Sequence, residues 1–369
     1  MSQLSKTSPR IILSGGGTGG HIYPAIAIAD EIKSRLPEAQ IMFVGALGKM
    51  EMEKVPKAGY PIQGLPIAGI DRGRLISNLS LPFKLRRSLK LAKSIIKEFK
   101  PDVVIGTGGY ASGPLLWQAS RQNIPVVIQE QNSFPGITNK LLKNRAAAIC
   151  VAYEGISQFP KDKVHHTGNP IRAEIFQNLT PREVAVHSYG LDPNKKVILS
   201  LGGSQGSRTL NNAWKAKLNE IQKHDVQLIW QTGKLDFEKL KQELPEDLSG
   251  IHLTEFIYDM KTAFAAADVI VSRAGAMAIS ELSLVGKPLV LVPFPFAAED
   301  HQTKNAQALV RQNAALMVTD VQAPTELVQK TLDLVQNESL QGELSENLKR
   351  MGKPDATKNI VDIILNQIK

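Results

Sequence analysis

The sequence lacks several features that would assign it to a protein class directly. It has one cysteine in 369 residues, Cys150, which excludes an intrachain disulfide framework and is typical of a reducing compartment. Cys150 lies in an apolar segment, and we expect it to be a small core residue. No apolar run approaches the ~20 residues that span a bilayer, and residues 1–10 lack the apolar core of a secretion signal. We therefore expect a protein that is cytoplasmic or lies on the cytoplasmic face of a membrane.

Residues that would mark the commoner nucleotide-binding motifs are also missing. Gly15–Gly20 fits Gly-x-Gly-x-x-Gly, but the next predicted strand, 40–44, is followed by Gly45-Ala46-Leu47 and not by an acid that could hold a dinucleotide ribose. No Gly-Lys-Ser/Thr follows the glycines, which excludes a P-loop. The chain has no Asp-x-Asp to hold a metal–diphosphate pair. We therefore expect no metal and no other cofactor.

Three glycine-rich loops are present instead, and each follows a short apolar run: Gly15–Gly20, Gly106–Gly109 and Gly202–Gly206. A strand that turns through glycines into a helix start directs backbone N–H groups and a partial positive charge at one point, which suits a phosphate. The alternative is that the glycines only form tight turns. Three loops of one type favour the phosphate interpretation.

Apolar runs alternate with helical segments along the whole chain, which predicts an α/β protein with parallel sheets buried on both faces. The expected strands are 10–14, 40–44, 103–105, 126–129, 147–151, 197–201, 227–231, 269–272 and 289–292. Because a glycine loop opens each half, we predict two facing Rossmann-like domains with a cleft between them, residues 1–167 and 168–353. A last helix, within 354–369, is expected to pack back on the first domain.

Positive charge is concentrated in the first half of the chain. Residues 1–165 carry a net charge of +11, whereas residues 166–369 carry −2. The excess peaks over 72–100, where nine Lys and Arg accompany one acid, Glu98. Such an asymmetry indicates different partners for the two halves.

Apolar and basic residues are interleaved over 67–100, and we call this segment the basic–apolar surface. It predicts docking on an anionic membrane. The alternative is a helix whose apolar stripe, Leu81, Leu85, Leu89 and Ala92, packs on its own sheet while its basic face is solvated. The residues of the surface are Ile70, Arg72, Arg74, Leu75, Ile76, Leu79, Leu81, Phe83, Lys84, Arg86, Arg87, Lys90 and Lys93.

Longer motifs give a resemblance to a known family. They are GGTGGH at 16–21, GGYASGP at 108–114, EQN at 130–132, GNPIR at 168–172, GSQG at 203–206, TEFI at 254–257, DM at 259–260, SRAGA at 272–276, SEL at 280–282, HQ at 301–302 and NA at 305–306. In this order, over residues 10–310, the chain resembles the MurG family of peptidoglycan glycosyltransferases. Ser207 stands where many members carry Ala, and 295–300 is a variable region of the family.

The resemblance implies a fold of two Rossmann-like domains of the GT-B type. It also implies an inverting hexosyltransferase that moves N-acetylglucosamine from UDP-N-acetylglucosamine to the muramyl-pentapeptide on undecaprenyl diphosphate. Such a protein works in peptidoglycan synthesis, peripherally at the cytoplasmic face of the cell (inner) membrane, and has no nucleic-acid partner.

His21 is the candidate catalytic residue. Inversion requires an acceptor hydroxyl to lose its proton, and an imidazole does this near neutral pH. The alternative is a histidine that only orders the loop.

The resemblance implies a donor site in which Ile257 offers main-chain groups to uracil and Glu281 accepts from the ribose hydroxyls. Asn132 and Gln302 are the implied partners of the sugar hydroxyls, since amides both donate and accept. Ser204 suits the diphosphate, and Arg172 suits phosphate or sugar oxygens. The full implied set is Thr18, Gly19, Gly20, Asn132, Arg172, Ser204, Ile257, Ala276, Met277, Ala278, Ile279, Ser280, Glu281 and Gln302.

Two other functions remain open from the residues alone. A sugar-nucleotide epimerase or hydrolase would need further acids and no lipid acceptor. A non-catalytic UDP-sugar sensor would have no use for His21 or for the loop 108–114.

Overall fold

The computed structural model describes residues 8–69, 79–171, 179–203 and 205–368. The chain forms two compact units: the first is Met1–Arg172 with Lys353–Lys369, and the second is Ala173–Gly352. The sequence predicted divisions after 167 and 353. In the part of the chain that the structure describes, no helix is both long and apolar enough to cross a membrane.

The first unit has a parallel sheet of seven strands. They are β1 (Arg10–Ser14), β2 (Gln40–Ala46), β3 (Ile62–Leu65), β4 (Val103–Gly106), β5 (Val126–Glu130), β6 (Ala148–Val151) and β7 (Val164–His166), in the order β3-β2-β1-β4-β5-β6-β7. The helices between them are α1 (Gly19–Arg35), α2 (Glu51–Lys57), α3 (Leu81–Phe99), α4 (Ser112–Arg121) and α5 (Ile137–Leu142).

The second unit repeats the plan with six parallel strands. They are β8 (Lys196–Leu201), β9 (Val226–Gln231), β10 (Ile251–Thr254), β11 (Val269–Ser272), β12 (Leu289–Leu291) and β13 (Leu316–Met317), in the order β10-β9-β8-β11-β12-β13. Its helices are α6 (Arg182–Ser188), α7 (Arg208–Ala216), α8 (Leu218–Lys223), α9 (Phe237–Glu243), α10 (Met260–Ala266), α11 (Ala276–Val285), α12 (His301–Val310), α13 (Ala323–Gln336) and α14 (Glu338–Met351).

The strand order reverses between β1 and β4 in the first unit and between β8 and β11 in the second. Parallel α/β sheets bind ligands outside the carboxyl ends of the strands at such a reversal. The three glycine-rich loops follow β1, β4 and β8, so the fold places them at the two points where a ligand site is expected.

The last helix, α15 (Ala356–Leu365), belongs to the first unit. Its Ile360, Val361 and Ile364 are buried in the same core cluster as Ile11 of β1 and Ile28 of α1. Thr357 Oγ1 donates to the carbonyl oxygen of Ile171 at 2.9 Å, which fixes the start of the helix.

The remaining predictions about the core and about α3 are confirmed in part. Cys150 is fully buried, and burial raises the pKa of its thiol to about 12, so it is a core residue. On α3 the buried face is Ser88, Ala92, Ile95 and Ile96. Of the apolar stripe that the alternative to membrane docking would bury on the sheet, Ala92 is buried, whereas Leu85 is 45% exposed, so that alternative holds for only part of the stripe.

Candidate active site

The first glycine loop is hydrogen-bonded to Glu51, a buried glutamate at the start of α2. Its Oε1 accepts from the Ala46 N–H at 2.9 Å and its Oε2 from the Gly17 N–H at 3.1 Å. A Cβ added at Gly16 would lie 2.2 Å from Oε1, so the loop passes over the carboxylate with no room for a side chain. The Gly17 N–H is therefore already hydrogen-bonded to Glu51 and cannot donate to a phosphate. Thr18, Gly19 and Gly20 at the start of α1 remain candidates for the predicted phosphate site.

The second glycine loop packs against His21. Gly108 and Gly109 have φ values of +98° and +78°, a backbone conformation that glycine tolerates best. A Cβ at Gly108 would lie 2.9 Å from His21 Nδ1, and one at Gly109 would lie 2.3 Å from the Gly16 carbonyl oxygen. The glycines after β4 therefore allow the loop to contact both the histidine and the loop after β1.

His21 is half-buried, and its contacts indicate the tautomer of its neutral ring. Nδ1 lies 3.0 Å from the carbonyl oxygen of Thr107 and 3.2 Å from Oε1 of Gln131. Both atoms only accept, so Nδ1 carries the proton and the lone pair of the neutral ring is on Nε2. A neutral imidazole held in one tautomer is what a general base needs.

Buried side-chain amides hold this arrangement in place. Gln131 Nε2 donates to the Thr107 carbonyl oxygen at 2.6 Å and also to Gln129 Oε1. Gln129 Nε2 donates to Asn169 Oδ1 at 2.9 Å, and Asn169 Nδ2 returns a bond to the Gln131 carbonyl oxygen at 3.1 Å. The network links the EQN and GNPIR motifs to the histidine.

Asn132 is positioned by the neighbouring Glu130, whose side chain is buried. Glu130 accepts from the Asn132 N–H and Nδ2, each at 3.1 Å, from the Gly136 N–H at 3.0 Å and from Asn139 Nδ2 at 2.8 Å. Asn132 therefore gives one of its amide protons to Glu130. Sequence reasoning assigned no role to Glu51 or Glu130. The one charged residue of the EQN motif, Glu130, could have been recognised from the sequence as a candidate for positioning its neighbours.

In the second unit the loop after β8 is also held by close packing. Gly206 has φ +84°, and a Cβ there would lie 2.0 Å from the Thr232 carbonyl oxygen. Ser207, where the resemblance led us to note a departure, caps α7: its hydroxyl accepts from the Leu210 N–H at 3.3 Å. Ser204 and Arg172, both predicted donor-site residues, lie outside the described residues.

Glu281 lies on α11, the helix that follows β11 at the reversal of strand order. It is half-buried, and burial alone raises the pKa of its carboxyl to about 7. Within the described part of the chain no hydrogen bond or ion pair reaches this carboxyl. The predicted neighbours are the first five residues of the same helix, Ala276, Met277, Ala278, Ile279 and Ser280.

Two further predicted donor-site residues have partners that sequence reasoning missed. Gln302 Oε1 accepts from the Ala274 N–H at 3.1 Å and from the Phe294 N–H at 2.9 Å. Its Oε1 is therefore engaged by the backbone and its Nε2 is the group that can donate to a sugar; the assignment of Gln302 to the sugar hydroxyls stays a prediction. The Ile257 N–H, at 3.3 Å from Gln231 Oε1, is likewise engaged.

A parallel sheet in each unit, with glycine loops at the reversal of strand order, defines an α/β protein of the two-domain GT-B fold class. The chain matches the glycosyltransferase family 28 N-terminal domain over residues 11–151 and the family 28 C-terminal domain over residues 197–360. The protein therefore belongs to glycosyltransferase family 28.

Particular relatives narrow the comparison. The chain is 52% identical over 360 residues, 97% of each chain, to the UDP-N-acetylglucosamine--N-acetylmuramyl-(pentapeptide) pyrophosphoryl-undecaprenol N-acetylglucosamine transferase of Cytophaga hutchinsonii. It is similar to the crystal structure of Acinetobacter baumannii MurG, with a TM-score of 0.80 and 28% identity over 97% of this chain and 99% of that one. A UDP-GlcNAc 2-epimerase from Neisseria meningitidis shares the fold alone, at 16% identity and a TM-score of 0.67 over 97% of this chain and all of the other.

Proposed function

We propose that this enzyme transfers N-acetylglucosamine from UDP-N-acetylglucosamine to the muramyl-pentapeptide carried on undecaprenyl diphosphate, with inversion at the sugar carbon. The observation that carries the proposal is the 52% identity, over nearly the whole chain, to a relative named for that reaction. The products are the lipid-linked disaccharide and UDP.

His21 is the proposed general base. Its Nε2 accepts the proton of the acceptor hydroxyl while that oxygen attacks the sugar carbon and UDP departs with the bonding electrons. The hydrogen bonds from Nδ1 to Thr107 and Gln131 support this role, because they stabilise the imidazolium that forms.

The donor is proposed to bind chiefly through the second unit. Glu281 accepts from the ribose hydroxyls, and its lack of a protein partner among the described residues supports that role. The Ile257 carbonyl oxygen faces the uracil edge, since the amide is engaged by Gln231. Gln302, through Nε2, and Asn132 of the first unit contact the sugar hydroxyls. The diphosphate is assigned to Arg172, Ser204 and the amides of Thr18–Gly20.

The proposed place of work is the cytoplasmic face of the membrane, where the protein docks reversibly on anionic lipid. Support comes from the described part of the basic–apolar surface, 79–100. There Leu79 and Phe83 are 74% and 78% exposed, and Lys84, Arg86 and Arg87 beside them are exposed as well. Residues 70–78, including Arg72 and Arg74, lie outside the described residues.

One experiment tests the reaction directly. The purified protein is incubated with UDP-N-acetylglucosamine and the lipid-linked acceptor, with and without EDTA, and both UDP and the lipid product are measured. We expect equal amounts of UDP and lipid-linked disaccharide, unaffected by EDTA. Free sugar, or a changed sugar nucleotide without lipid product, would indicate a hydrolase or an epimerase. Tight UDP binding with no turnover would indicate a sensor.

A further inference from the structure

Two largely buried Arg–Asp ion pairs lie at opposite ends of the parallel strands of the second sheet. Arg182 and Asp268 meet at the amino edge, before β11, with Nη2 2.6 Å from Oδ2. Arg273 and Asp320 meet at the carboxyl edge, after β11 and β13, with Nη1 2.5 Å from Oδ1. Removing one partner of such a pair leaves an uncompensated charge, so both pairs matter for folding. Only the Arg273–Asp320 pair lies at the carboxyl ends of the strands, where a ligand is expected.

The Arg273–Asp320 pair joins the loops of that edge to one another. Arg273 Nη1 also donates to the carbonyl oxygens of Val292 and Pro293, at 3.0 and 3.2 Å. Its guanidinium lies 5.7 Å from the centre of the Phe294 ring. Asp320 Oδ2 accepts from Thr209 Oγ1, on the first turn of α7, at 2.9 Å. One ion pair thus connects the segments that follow β8, β11, β12 and β13.

The same loops carry the proposed donor contacts. Arg273 is three residues before the start of α11, the helix of Glu281. Thr209 lies just after the glycine loop that ends at Gly206. Phe294, under the guanidinium, gives its N–H to Gln302. A displacement of the ion pair would therefore move the ribose, diphosphate and sugar contacts together.

We propose that Asp320 is a positioning residue for the sugar nucleotide. Acting through Arg273 and Thr209, it fixes the relative placement of the loops that bind the donor, and it does not contact the donor itself. This inference rests on the proposed function, because it assigns those loops to UDP-N-acetylglucosamine.

The test compares Asp320→Asn with Asp268→Asn, a matched control. Each substitution removes one carboxylate charge from a largely buried pair in the same unit, and the asparagine retains the shape. We expect both variants to unfold at lower urea concentration. Only Asp320→Asn should raise the KM for UDP-N-acetylglucosamine, by about 10- to 100-fold, since small misplacements of binding groups cost that much. Its kcat should change much less than its KM, and the KM for the lipid acceptor should stay within about twofold of the wild type.

Thr209 provides a milder variant that leaves the ion pair intact. Thr209→Val removes the hydrogen bond to Asp320, and Thr209→Ser keeps the hydroxyl. We expect a smaller rise in donor KM for the valine variant and recovery for the serine variant. This readout remains informative if Asp320→Asn does not fold.

Direct UDP binding, measured by calorimetry without acceptor, tests the proposed function and the positioning role of Asp320 separately. A wild-type protein that binds no UDP would contradict the proposed function. A wild type that binds UDP, together with an Asp320→Asn variant that binds it equally well, would overturn only the positioning role. Tighter binding by Asp320→Asn would also overturn it, since it would mean that the released Arg273 contacts the diphosphate directly.

Discussion

At the scale of single residues, Glu281 is a half-buried carboxyl whose charged form is disfavoured by desolvation. Its raised pKa, about 7, means that it is partly protonated at neutral pH. Hydroxyl groups donate more strongly to a carboxylate than to a neutral acid. The ribose should therefore bind best above the pKa, and the affinity for UDP-N-acetylglucosamine should rise as the pH increases from 6 to 8.

Glu281→Gln tests this dependence by calorimetry across that pH range. The donor has no phosphate group that titrates there, because each of its two phosphates has only one ionisable oxygen, and that oxygen is already charged well below pH 6. The variant should bind the donor more weakly and with no change between pH 6 and 8. It should also be more stable than the wild type above pH 7. Burial disfavours the ionised carboxyl, so the wild type loses stability as the pH rises from 4.5, the ordinary pKa of a glutamate, to about 7, whereas glutamine cannot ionise. A wild type whose affinity is flat with pH would exclude Glu281 from the ribose site.

The second residue-scale prediction concerns His21. His21→Ala should lower kcat by ~10²- to 10⁴-fold, the usual loss when general-base assistance is removed, with UDP affinity nearly unchanged. Initial rates and calorimetry check the two quantities separately. Collapse of UDP binding with turnover largely kept would make the histidine a loop organiser.

At the scale of helices and strands, the sequence predicted the interior of each sheet and missed its edges. All nine expected strands are present. The four that were missed, β3, β7, β10 and β13, are the outermost strands of the two sheets. An edge strand is buried on fewer sides, so it needs no continuous apolar run: β3 contains Gln63 and β7 contains two histidines.

The site was predictable to a similar degree. Glycines and motif residues located the loops, because the turn into a helix needs them in any such fold. What sequence could not give was the use of individual groups, such as the engaged Oε1 of Gln302 or the support of Gly17 by Glu51. Those depend on a side chain meeting the backbone of another segment after folding, 34 residues away for Glu51 and Gly17 and 28 for Gln302 and Ala274, which no local pattern records.

The close packing of the two loops in the first unit gives a prediction with a matched control. Gly109 and Gly155 have nearly equal φ values, +78° and +73°, but a Cβ at Gly155 meets nothing within 4 Å. Gly155→Ala should therefore cost only the conformational strain, ~1–2 kcal/mol, with activity retained. Gly109→Ala should cost more and lower kcat by at least about tenfold, because the loop must move away from Gly16 and His21. Urea unfolding and initial rates measure both; equal effects of the two substitutions would contradict this account.

Helix α3 is the element on which membrane docking is expected to depend. Each basic residue near an anionic surface contributes ~1 kcal/mol, and salt screens the attraction. Sedimentation with anionic liposomes should show binding that falls steeply from low to physiological ionic strength. Reversing Arg86 and Arg87 to Glu should abolish most of that binding. Reversing the exposed Lys239 and Lys241 of α9, an equal change in net charge, should leave it intact, and equal losses would mean that net charge alone matters.

At the scale of the whole molecule, the first unit is built from two separate stretches of chain. Ile364 of α15 is fully buried in its core, and Ile364→Ala should destabilise this unit by about 2–5 kcal/mol. Asp362→Ala on the same helix removes only the partly exposed ion pair with Arg35, worth no more than about 1 kcal/mol. Hydrogen exchange read by mass spectrometry should show faster exchange in β1 and α1 for the isoleucine variant, with β8 unchanged. Equal exchange in the two variants would mean that α15 is not part of the cooperative core.

The discontinuity of the first unit also sets an order of events during synthesis. Residues 173–352 form the second unit without any other part of the chain, so its folding depends on no segment that is translated after Gly352. The first unit, although translated earlier, has to wait for Lys353–Lys369, which takes about one to three seconds more at the usual rate of elongation. During that interval the surface of β1 and α1 that α15 will cover is exposed, and it is the natural place for a chaperone to bind the unfinished chain.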